Sequence, residues 1–462
     1  MFPLARSTLA ALGPAQSLWE ATAAPGASFP ALHGELRAEV AIVGGGICGL
    51  VTALHLAEGG ARVALLEAQS IGFGASGRNG GQIIAGLKLD PEELLKIYGR
   101  ERGERLVEFV GRTADAAFDL IARHRIECDG VRQGWIQAAH DAASLREVRA
   151  RAHQWSERGA PVQVLDAEQV ATAIGAGDAT VYCGGWIDRR GGRVQPLAYS
   201  RGLARAASEA GAQLYEHSPV RTLEPSASGW RLSTERGALQ ADKVVLCMNA
   251  YAQLQGIGAR LSRAYIPVAS MQLASEPLPA EVRSSILRND IVVSDTHPLL
   301  HYFRLDAAGR LIMGGPGTLR ALRRGGQARP LLEWVEQLFP TLREHYRPRY
   351  YWGGHVARTL DHLPHLHELR PGVLAFYGCN GRGVALASAA GGLLAQWALG
   401  TRAADLPLPT TRLHAIPLHA GYPLYIQIAR AYLTLREQLK GSNAPATPKS
   451  RSLALDPPTA PH

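Results

Sequence analysis

The chain has 462 residues, 46% hydrophobic and 19% charged, with 50 glycines and 28 prolines. That length allows two or three domains, and the apolar content excludes wholesale disorder. The excess of 49 basic over 40 acidic residues gives a net charge of +9, almost all of it arginine scattered among carboxylates as a solvated surface, and no nucleic-acid motif accompanies it.

From the N-terminus, residues 1–35 are rich in Ala, Pro and Gly and read as an extended lead-in. Its apolar run Leu9–Leu12 is short and interrupted by Gly13 and Pro14, so no export signal is expected and cytoplasmic residence is. Glu39–Val43 reads as a buried strand, followed by a glycine cluster, a helix over Leu50–Glu58 and a second strand, Arg62–Glu67, a β-α-β unit of about 30 residues. The spacing predicts one amphipathic helix over Leu106–Arg125, with Leu106, Phe109, Val110, Ala117, Leu120 and Ile121 on one side, and a more polar helix over Glu147–Arg158. Gln195–Ala210 reads as a helix, Gln213–His217 and Lys243–Met248 as strands. Ile291–Ser294 and Leu311–Gly314 are β-like, and Pro330–Leu338 is helical. Leu374–Tyr377 is a strand, Gly383–Leu399 a helix of small residues and Tyr425–Gln438 an amphipathic helix, while the Pro-, Ser- and Ala-rich Gly441–His462 reads as disordered. No apolar run of about 18 residues marks a spanning helix.

The strongest motif is Gly44, Gly46 and Gly49, a G-x-G-x-x-G directly after a strand and at the start of a helix. Gly44 permits the tight turn, Gly46 lets backbone approach a pyrophosphate, and Gly49 permits close helix–strand packing. The helix N-terminus offers N–H groups and partial positive charge to phosphates. Glu67 ends the second strand, where a carboxylate accepts from adenosine ribose hydroxyls, and no arginine replaces it, which argues against a 2′-phosphate. This fingerprint does not separate NAD from FAD. The second loop, Gly72 to Gln82, does: its glycines, with Ser76 and Asn79, suit backbone running beneath a ribityl chain and ring, and Arg78 could serve the pyrophosphate or the flavin.

Val43-Gly44-Gly45-Gly46 through Gly49-Leu50, then Leu66-Glu67-Ala68, then Gly74-Ala75-Ser76-Gly77-Arg78-Asn79-Gly80-Gly81-Gln82 together resemble the D-amino-acid oxidase/glycine oxidase superfamily of FAD enzymes. Within it the chain is most similar to the γ-glutamylputrescine oxidoreductase branch, from about residue 15 to residue 440. Three later segments match. Gly185-Trp186-Ile187 to Val194-Gln195-Pro196 resembles the family's mid-chain segment. Val220 falls where such enzymes place a valine whose backbone contacts adenine, and Ala241–Ala250, with Asn249, resembles the second strand-and-loop that approaches FAD. Phe376-Tyr377-Gly378-Cys379-Asn380-Gly381-Arg382-Gly383-Val384 resembles the C-terminal flavin loop, where a helix N-terminus stabilises negative charge on reduced flavin.

The resemblance implies an α/β fold: a doubly wound, Rossmann-like FAD-binding domain with an inserted β-rich α+β substrate domain. The FAD-binding segments are expected at 36–98, 184–258 and 346–404, the substrate segments at 99–183 and 259–345, and a helical extension at 405–440. It implies hydride transfer to flavin from the carbon of an amine or amino acid, among them a γ-glutamylated polyamine, giving an imine that hydrolyses, with O2 as electron acceptor and H2O2 as product.

Candidate pocket residues are Tyr302 and Arg304, which strand alternation puts on one face, and His355 in Trp352-Gly353-Gly354-His355. Arg304 could clamp a substrate carboxylate. His362, His365 and His367 are broken by Pro364 and have poor metal geometry, and five separated cysteines without C-x-x-C offer neither a disulfide scaffold nor a zinc site, so no metal is expected. Several amine oxidases of the superfamily use a lysine near the flavin to activate oxygen. The lysines here are Lys88, Lys96, Lys243, Lys440 and Lys449, of which Lys88 follows the glycine-rich loop. A dehydrogenase of an amino acid or 2-hydroxy acid, passing electrons to a quinone or carrier, is the alternative; the basic surface and the Tyr425–Gln438 helix would then suit contact with a membrane surface. A non-catalytic flavin-binding module is a further one. Covalent flavin attachment, for which Cys379 is the candidate, is left open.

Overall fold

The computed structural model describes residues 17–178, 180–252, 254–317 and 328–441. The tail expected beyond Gly441 and the first 16 residues lie outside that range. The chain builds two sheets of eight strands each, with a two-stranded ribbon between Gln82–Ile83 and Gly192–Arg193.

The first sheet has the order His365–Arg370, Val373–Tyr377, Gly237–Leu246, Gly34–Val43, Val63–Leu66, Gln213–Tyr215. The last five are mutually parallel. Thr222–Ser226 and Gly229–Ser233 branch from Gly237–Leu246 as an antiparallel hairpin. Val40, Ala41, Ile42 and Val43 are all buried, an unbroken apolar run that marks a strand covered on both faces. On one face lie helices Ile47–Glu58, Pro196–Glu209 and Gly383–Ala398. Small residues explain the close approach of the first and third: a Cβ on Gly391 would stand 2.6 Å from Val51 Cβ.

The expected single helix over 106–125 is two, Arg100–Gly111 and Thr113–Arg123, broken at Arg112. There the chain leaves helical geometry, and the Thr113 hydroxyl donates to the Val110 carbonyl at 2.8 Å, a local alternative to the next helical bond. Both helices share the first domain's core, with Leu106, Val110, Ala114 and Ala117 buried against it.

The second sheet has the order Pro348–Arg358, Ile266–Ser275, Leu311–Pro316, Tyr302–Leu305, Val292–Asp295, Trp135–Ala139, Gly184–Asp188, Val162–Leu165. All its pairs are antiparallel except Val292–Asp295 with Trp135–Ala139. Two expected boundaries therefore move. Gly184–Asp188 and Pro348–Arg358 pair in the second sheet, not the first, because their hydrogen-bonding partners are Trp135–Ala139 and Ile266–Ser275. Alternation sorts this sheet's faces. Ile136, Ala138, Leu273, Phe303, Leu305 and Met313 join a core of their own with helices Ala167–Ile174 and Arg329–Leu338. Trp135, Gln137, Trp186, Gln272, Tyr302 and Arg304 fall on the other face, toward the first domain.

Two elements differ from the expected ends of the chain. Residues Leu18–Thr22 of the lead-in form a short helix, held by a capping box in which Ser17 Oγ accepts from Glu20 N–H and Glu20 accepts from Ser17 N–H. Leu18 and Trp19 are buried with Trp352 and Ile312, at the junction of the two sheets. At the other end, helix Tyr422–Gly441 leaves Leu424, Tyr425, Ile428 and Tyr432 exposed. Among the described residues no helix is long and apolar enough to cross a membrane.

Candidate active site

The strand Gly34–Val43 runs into Gly44, whose φ of +111° belongs to glycine. A Cβ on Gly46 would lie 2.7 Å from Ser76 Oγ, and one on Gly49 would lie 2.0 Å from the Gly44 carbonyl oxygen. Bare backbone therefore lines the turn, and helix Ile47–Glu58 starts on it without a side-chain cap from Gly46. Ser76 Oγ accepts from Ile47 N–H at 3.0 Å, which ties the two glycine loops together. The Glu67 carboxylate is oriented by Gly45 N–H at 2.6 Å and Gln69 N–H at 2.9 Å. Burial lifts its pKa above the usual carboxylate range, with the nearby Glu216 adding to the lift. Ser218 N–H donates to the Glu67 carbonyl, so the segment that leads to the buried Val220 runs beside this carboxylate. An exposed-backbone cradle, a helix N-terminus and an oriented carboxylate at the end of the second strand are what a dinucleotide needs, and these residues fit FAD.

The second loop is built to be gripped. Gly77 is closed over Gly72, where a Cβ would come within 2.4 Å of a carbonyl oxygen. Asn79 turns inward: Nδ2 donates to Ala75 and Ser76 carbonyls and Oδ1 accepts from Gly81 N–H. Gln82 Nε2 donates to Val293 O at 2.9 Å, in the second sheet. Arg78 is engaged within the protein. Its guanidinium donates to Phe73 O at 2.8 Å, lies 5.0 Å from the Phe73 ring centroid and pairs with Glu20. Its backbone is largely engaged within the protein: the Ser76 carbonyl accepts from Asn79, and those of Arg78, Asn79 and Gly80 accept from Trp352, Trp19 and Arg304.

The C-terminal loop meets the others through Asn249. Its Oδ1 accepts from Gly378 N–H at 3.1 Å and its Nδ2 donates to Cys379 Sγ at 3.2 Å. Asn380 is also a loop builder, since its amide bonds Gly378 O, Thr359 and Leu363 O and is buried. Arg382 is buried, donates to Ala85 O and lies 4.8 Å from the Trp135 ring centroid. After the open turn at Gly381, helix Gly383–Ala398 starts without a side-chain cap, with Val384 buried in its first turn. The helix N-termini at Ile47 and Gly383 thus sit on glycine-rich loops, the first tied to the second glycine loop by Ser76 and the other tied to the Asn249 segment.

The second sheet closes over these loops, and here the expected catalytic residues separate. Arg304 is 1% exposed and donates to Gly80 O at 2.6 Å, Val194 O at 2.7 Å and Leu305 O at 3.0 Å, with the Trp19 ring 4.9 Å away. Burial pushes its pKa down to about 9. It is a clasp on the glycine loop, not a free carboxylate clamp. Tyr302 is half-buried; its ring packs where a Gly80 Cβ would be, and its hydroxyl bonds Ser270 Oγ at 2.8 Å and Gln272 Nε2. It remains as a wall of the site. His355 is engaged through its backbone, which donates to Tyr251 OH at 3.0 Å. Its ring also packs edge to face on the Tyr251 ring at 5.7 Å, next to Gly354, where a Cβ would meet the Tyr251 hydroxyl and Arg78. Burial lowers the His355 pKa below its ordinary value.

Lys243 lies far from this chemistry: its Nζ donates to the Ala398 carbonyl at 2.6 Å, closing the C-terminal end of the last core helix. All five cysteines are free thiols. His365 and His367 are spent on Asp361, Thr411 and Tyr377, and among the described residues no group of His, Cys, Asp and Glu could hold a metal ion. Two surface grooves, of about 670 and 550 Å³, lie around Arg370 and Arg112 and include none of the predicted cofactor residues.

Sequence reasoning missed the tryptophans that hold the domains together. Trp19 Nε1 donates to Asn79 O at 2.8 Å and Trp352 Nε1 to Arg78 O at 3.0 Å, their rings edge to face at 5.6 Å. For Trp19 a signal existed, the Ser17-x-x-Glu20 capping box; for Trp352 only the fold reveals its partner.

Known proteins share this arrangement. The chain is 32% identical over 377 residues to "Probable oxidoreductase OrdL" of Haemophilus influenzae, covering 80% of this chain and 85% of that protein. It is 29% identical over 432 residues to "Gamma-glutamylputrescine oxidoreductase" of Escherichia coli K12, covering 92% and 98%. The crystal structure of glycine oxidase from Geobacillus kaustophilus superimposes with a TM-score of 0.67 at 26% identity, over 82% of this chain and 99% of that one. Residues 39–397 match the family described as "FAD dependent oxidoreductase", which spans the cradle, both later loops and the second sheet, and the chain accordingly belongs to that family of FAD-dependent enzymes.

Proposed function

We propose that this enzyme oxidises the C–N bond of an amine or amino acid, with a γ-glutamylated polyamine as the favoured substrate class and O2 as the electron acceptor, releasing an imine that hydrolyses and H2O2. The observation that carries the substrate class is the end-to-end likeness to a protein named gamma-glutamylputrescine oxidoreductase, which covers 98% of that protein. The observation that carries the chemistry is the pair of helix N-termini, at Ile47 and Gly383, that open on glycine-rich loops, the first with one N–H taken by Ser76 Oγ.

When bound, FAD supplies the two-electron acceptor for a hydride leaving the carbon that bears nitrogen. The protein contributes position and field. The turn Gly44–Gly49 and Glu67 would hold the nucleotide end, and the N–H groups and dipole of helix Gly383–Ala398 would favour negative charge on the ring. Buried Trp135 and Trp186 and half-buried Tyr302 on the second sheet would exclude water, which favours the neutral amine needed for hydride loss. No general base is required of the chain.

Anaerobic titration of the purified holoenzyme with amines, amino acids and γ-glutamyl amines, followed at the flavin band near about 450 nm, tests this reading. Bleaching by an amine, followed on admitting air by stoichiometric H2O2, is the expected result; a band that no amine bleaches would refute it. A second reading, a dehydrogenase that passes electrons to a quinone or carrier, draws on Lys243 being spent on the Ala398 carbonyl. It predicts bleaching that air does not reverse and a quinone does.

A further inference from the structure

Large apolar side chains left in water gather at one end of the described chain. Leu418, Leu424, Tyr425, Ile428 and Tyr432 are all exposed, on the turn His419–Gly421 and its flank and on the helix Tyr422–Gly441 that follows. The helix packs mainly on that turn. At 3.6 residues per turn Leu424, Ile428, Tyr432 and Tyr425 fall within an arc of about 100°. The sequence continues the stripe with Leu435 and Leu439 and sets Arg436 and Lys440 along its border. Ile426 and Leu433, on the other side of the helix, are less exposed. Among the described residues no helix is long and apolar enough to span a bilayer. An apolar stripe that carries tyrosines and is edged by basic residues is instead the pattern of a helix lying in a membrane interface.

The groove of about 670 Å³ lies at the base of this helix, and it is basic. Arg260, Arg370 and Arg412 line it and are exposed, against one acidic residue, Glu368. Among the described residues none of the three arginines has an ion-pair partner. His367, also in the lining, adds no charge: burial pulls its pKa down to about 4, and its ring is bonded to the Thr411 carbonyl and the Tyr377 hydroxyl. Guanidinium forks in such a groove suit phosphate oxygens. Groove and helix share one support. Arg260 belongs to the short helix Gly256–Arg263. Beside it Ile416 N–H donates to the Arg263 carbonyl at 2.8 Å and His419 Nε2 to the Tyr265 carbonyl at 2.8 Å. Leu413 of the lining and exposed Leu418 are five residues apart, which holds them within about 18 Å of each other.

We propose that this groove and helix together dock the enzyme on an anionic phospholipid surface, the arginines meeting lipid phosphates and the stripe entering the acyl boundary. Charge selects this occupant. In a two-fold pair of chains built on the stripe, the neighbouring arginines of both copies would approach one another, whereas lipid phosphates neutralise them. The inference does not depend on the substrate. It bears on the electron acceptor, because a quinone dissolves in the same lipid.

The test is flotation of the purified holoenzyme with vesicles, phosphatidylcholine alone against equal parts of phosphatidylcholine and phosphatidylglycerol. Binding to the mixed vesicles should be about tenfold or more tighter than to phosphatidylcholine and should weaken as salt is added. Arg370→Glu combined with Arg412→Glu, and separately Ile428→Asp combined with Tyr432→Asp, should each lower it by about tenfold or more. Flavin content and melting temperature should stay as in the parent, since all four side chains are exposed. Equal binding to both kinds of vesicle, or to neither, overturns the proposal, as does binding that either pair of substitutions leaves unchanged. A parent that fails to float and sediments as a dimer, which Ile428→Asp with Tyr432→Asp dissociates, would assign the stripe to a second copy of the chain and overturn the proposal as well.

Discussion

Buried in the junction between the sheets, the Arg304 guanidinium satisfies carbonyls of Gly80, Val194 and Leu305. Arg304→Met would leave those acceptors without their charged donor and cost about 3 kcal/mol or more. Thermal melting and FAD retention should both fall. A substrate clamp would instead raise KM and leave stability alone. The residue illustrates what a sequence withholds: alternation along 301–304 gives the face, but the carbonyls across it come from residues 80 and 194, far away in the chain. Glu67 is the contrasting case, since the role proposed for it depends on a local strand–turn–helix. Glu67→Ala should weaken FAD by about 1–3 kcal/mol, read by fluorescence of released flavin. Lys88 adds a pH dependence. Its folded pKa of about 7 lies below the ordinary lysine value, so the folded state binds fewer protons than the unfolded chain between about pH 7 and 10. Stability from this group therefore rises with pH across that window, and its penalty is complete below pH 7. The facing groups, Arg382, Arg358, Arg151 and His362, include no free carboxylate. Lys88→Met should flatten the rise of melting temperature with pH.

Among the elements, helices Ile47–Glu58 and Gly383–Ala398 set the distance between the two N-termini. That distance depends on glycine, for a Cβ at Gly391 would stand 2.6 Å from Val51 Cβ and 2.9 Å from the Cys48 carbonyl oxygen. Gly391→Leu should overpack this contact and destabilise the fold by about 1–3 kcal/mol. It should also lower flavin content without touching any residue at the cradle, which quantifying FAD per chain after purification would show. Elements like these were readable, since small-residue periodicity and glycine turns are local signals. The strands Gly184–Asp188 and Pro348–Arg358 were assigned to the wrong sheet for the opposite reason. Each is short of local signal, and its sheet is decided by partners as distant as Ile266–Ser275.

On the scale of the whole molecule, the loop Arg78–Gln82 is where the two sheets are bound into one body. Trp19, Trp352 and Arg304 donate to its carbonyls from the N-terminal helix and the second sheet, and its own Gln82 donates to Val293 O in that sheet. The composite α/β architecture was legible from three glycine-rich stretches, but this mutual grip was not, because it consists of side chains meeting backbone across domains. It makes FAD a fastener as well as a reagent. A ligand that binds the folded chain alone stabilises it by RT ln(1 + [L]/Kd), about 2.7 kcal/mol at roughly a hundredfold excess over Kd. Both sheets should share that gain if the loop proposed to line the cofactor site is also the one that joins them. Trp19, Trp135, Trp186 and Trp352 are buried along the junction and report on it by fluorescence, while far-ultraviolet circular dichroism reports on both sheets. Stripping FAD should lower the two melting transitions together, and adding it back should raise them together. A junction that melted first, at a temperature independent of FAD, would mean that the clasp and the cofactor cradle are energetically separate.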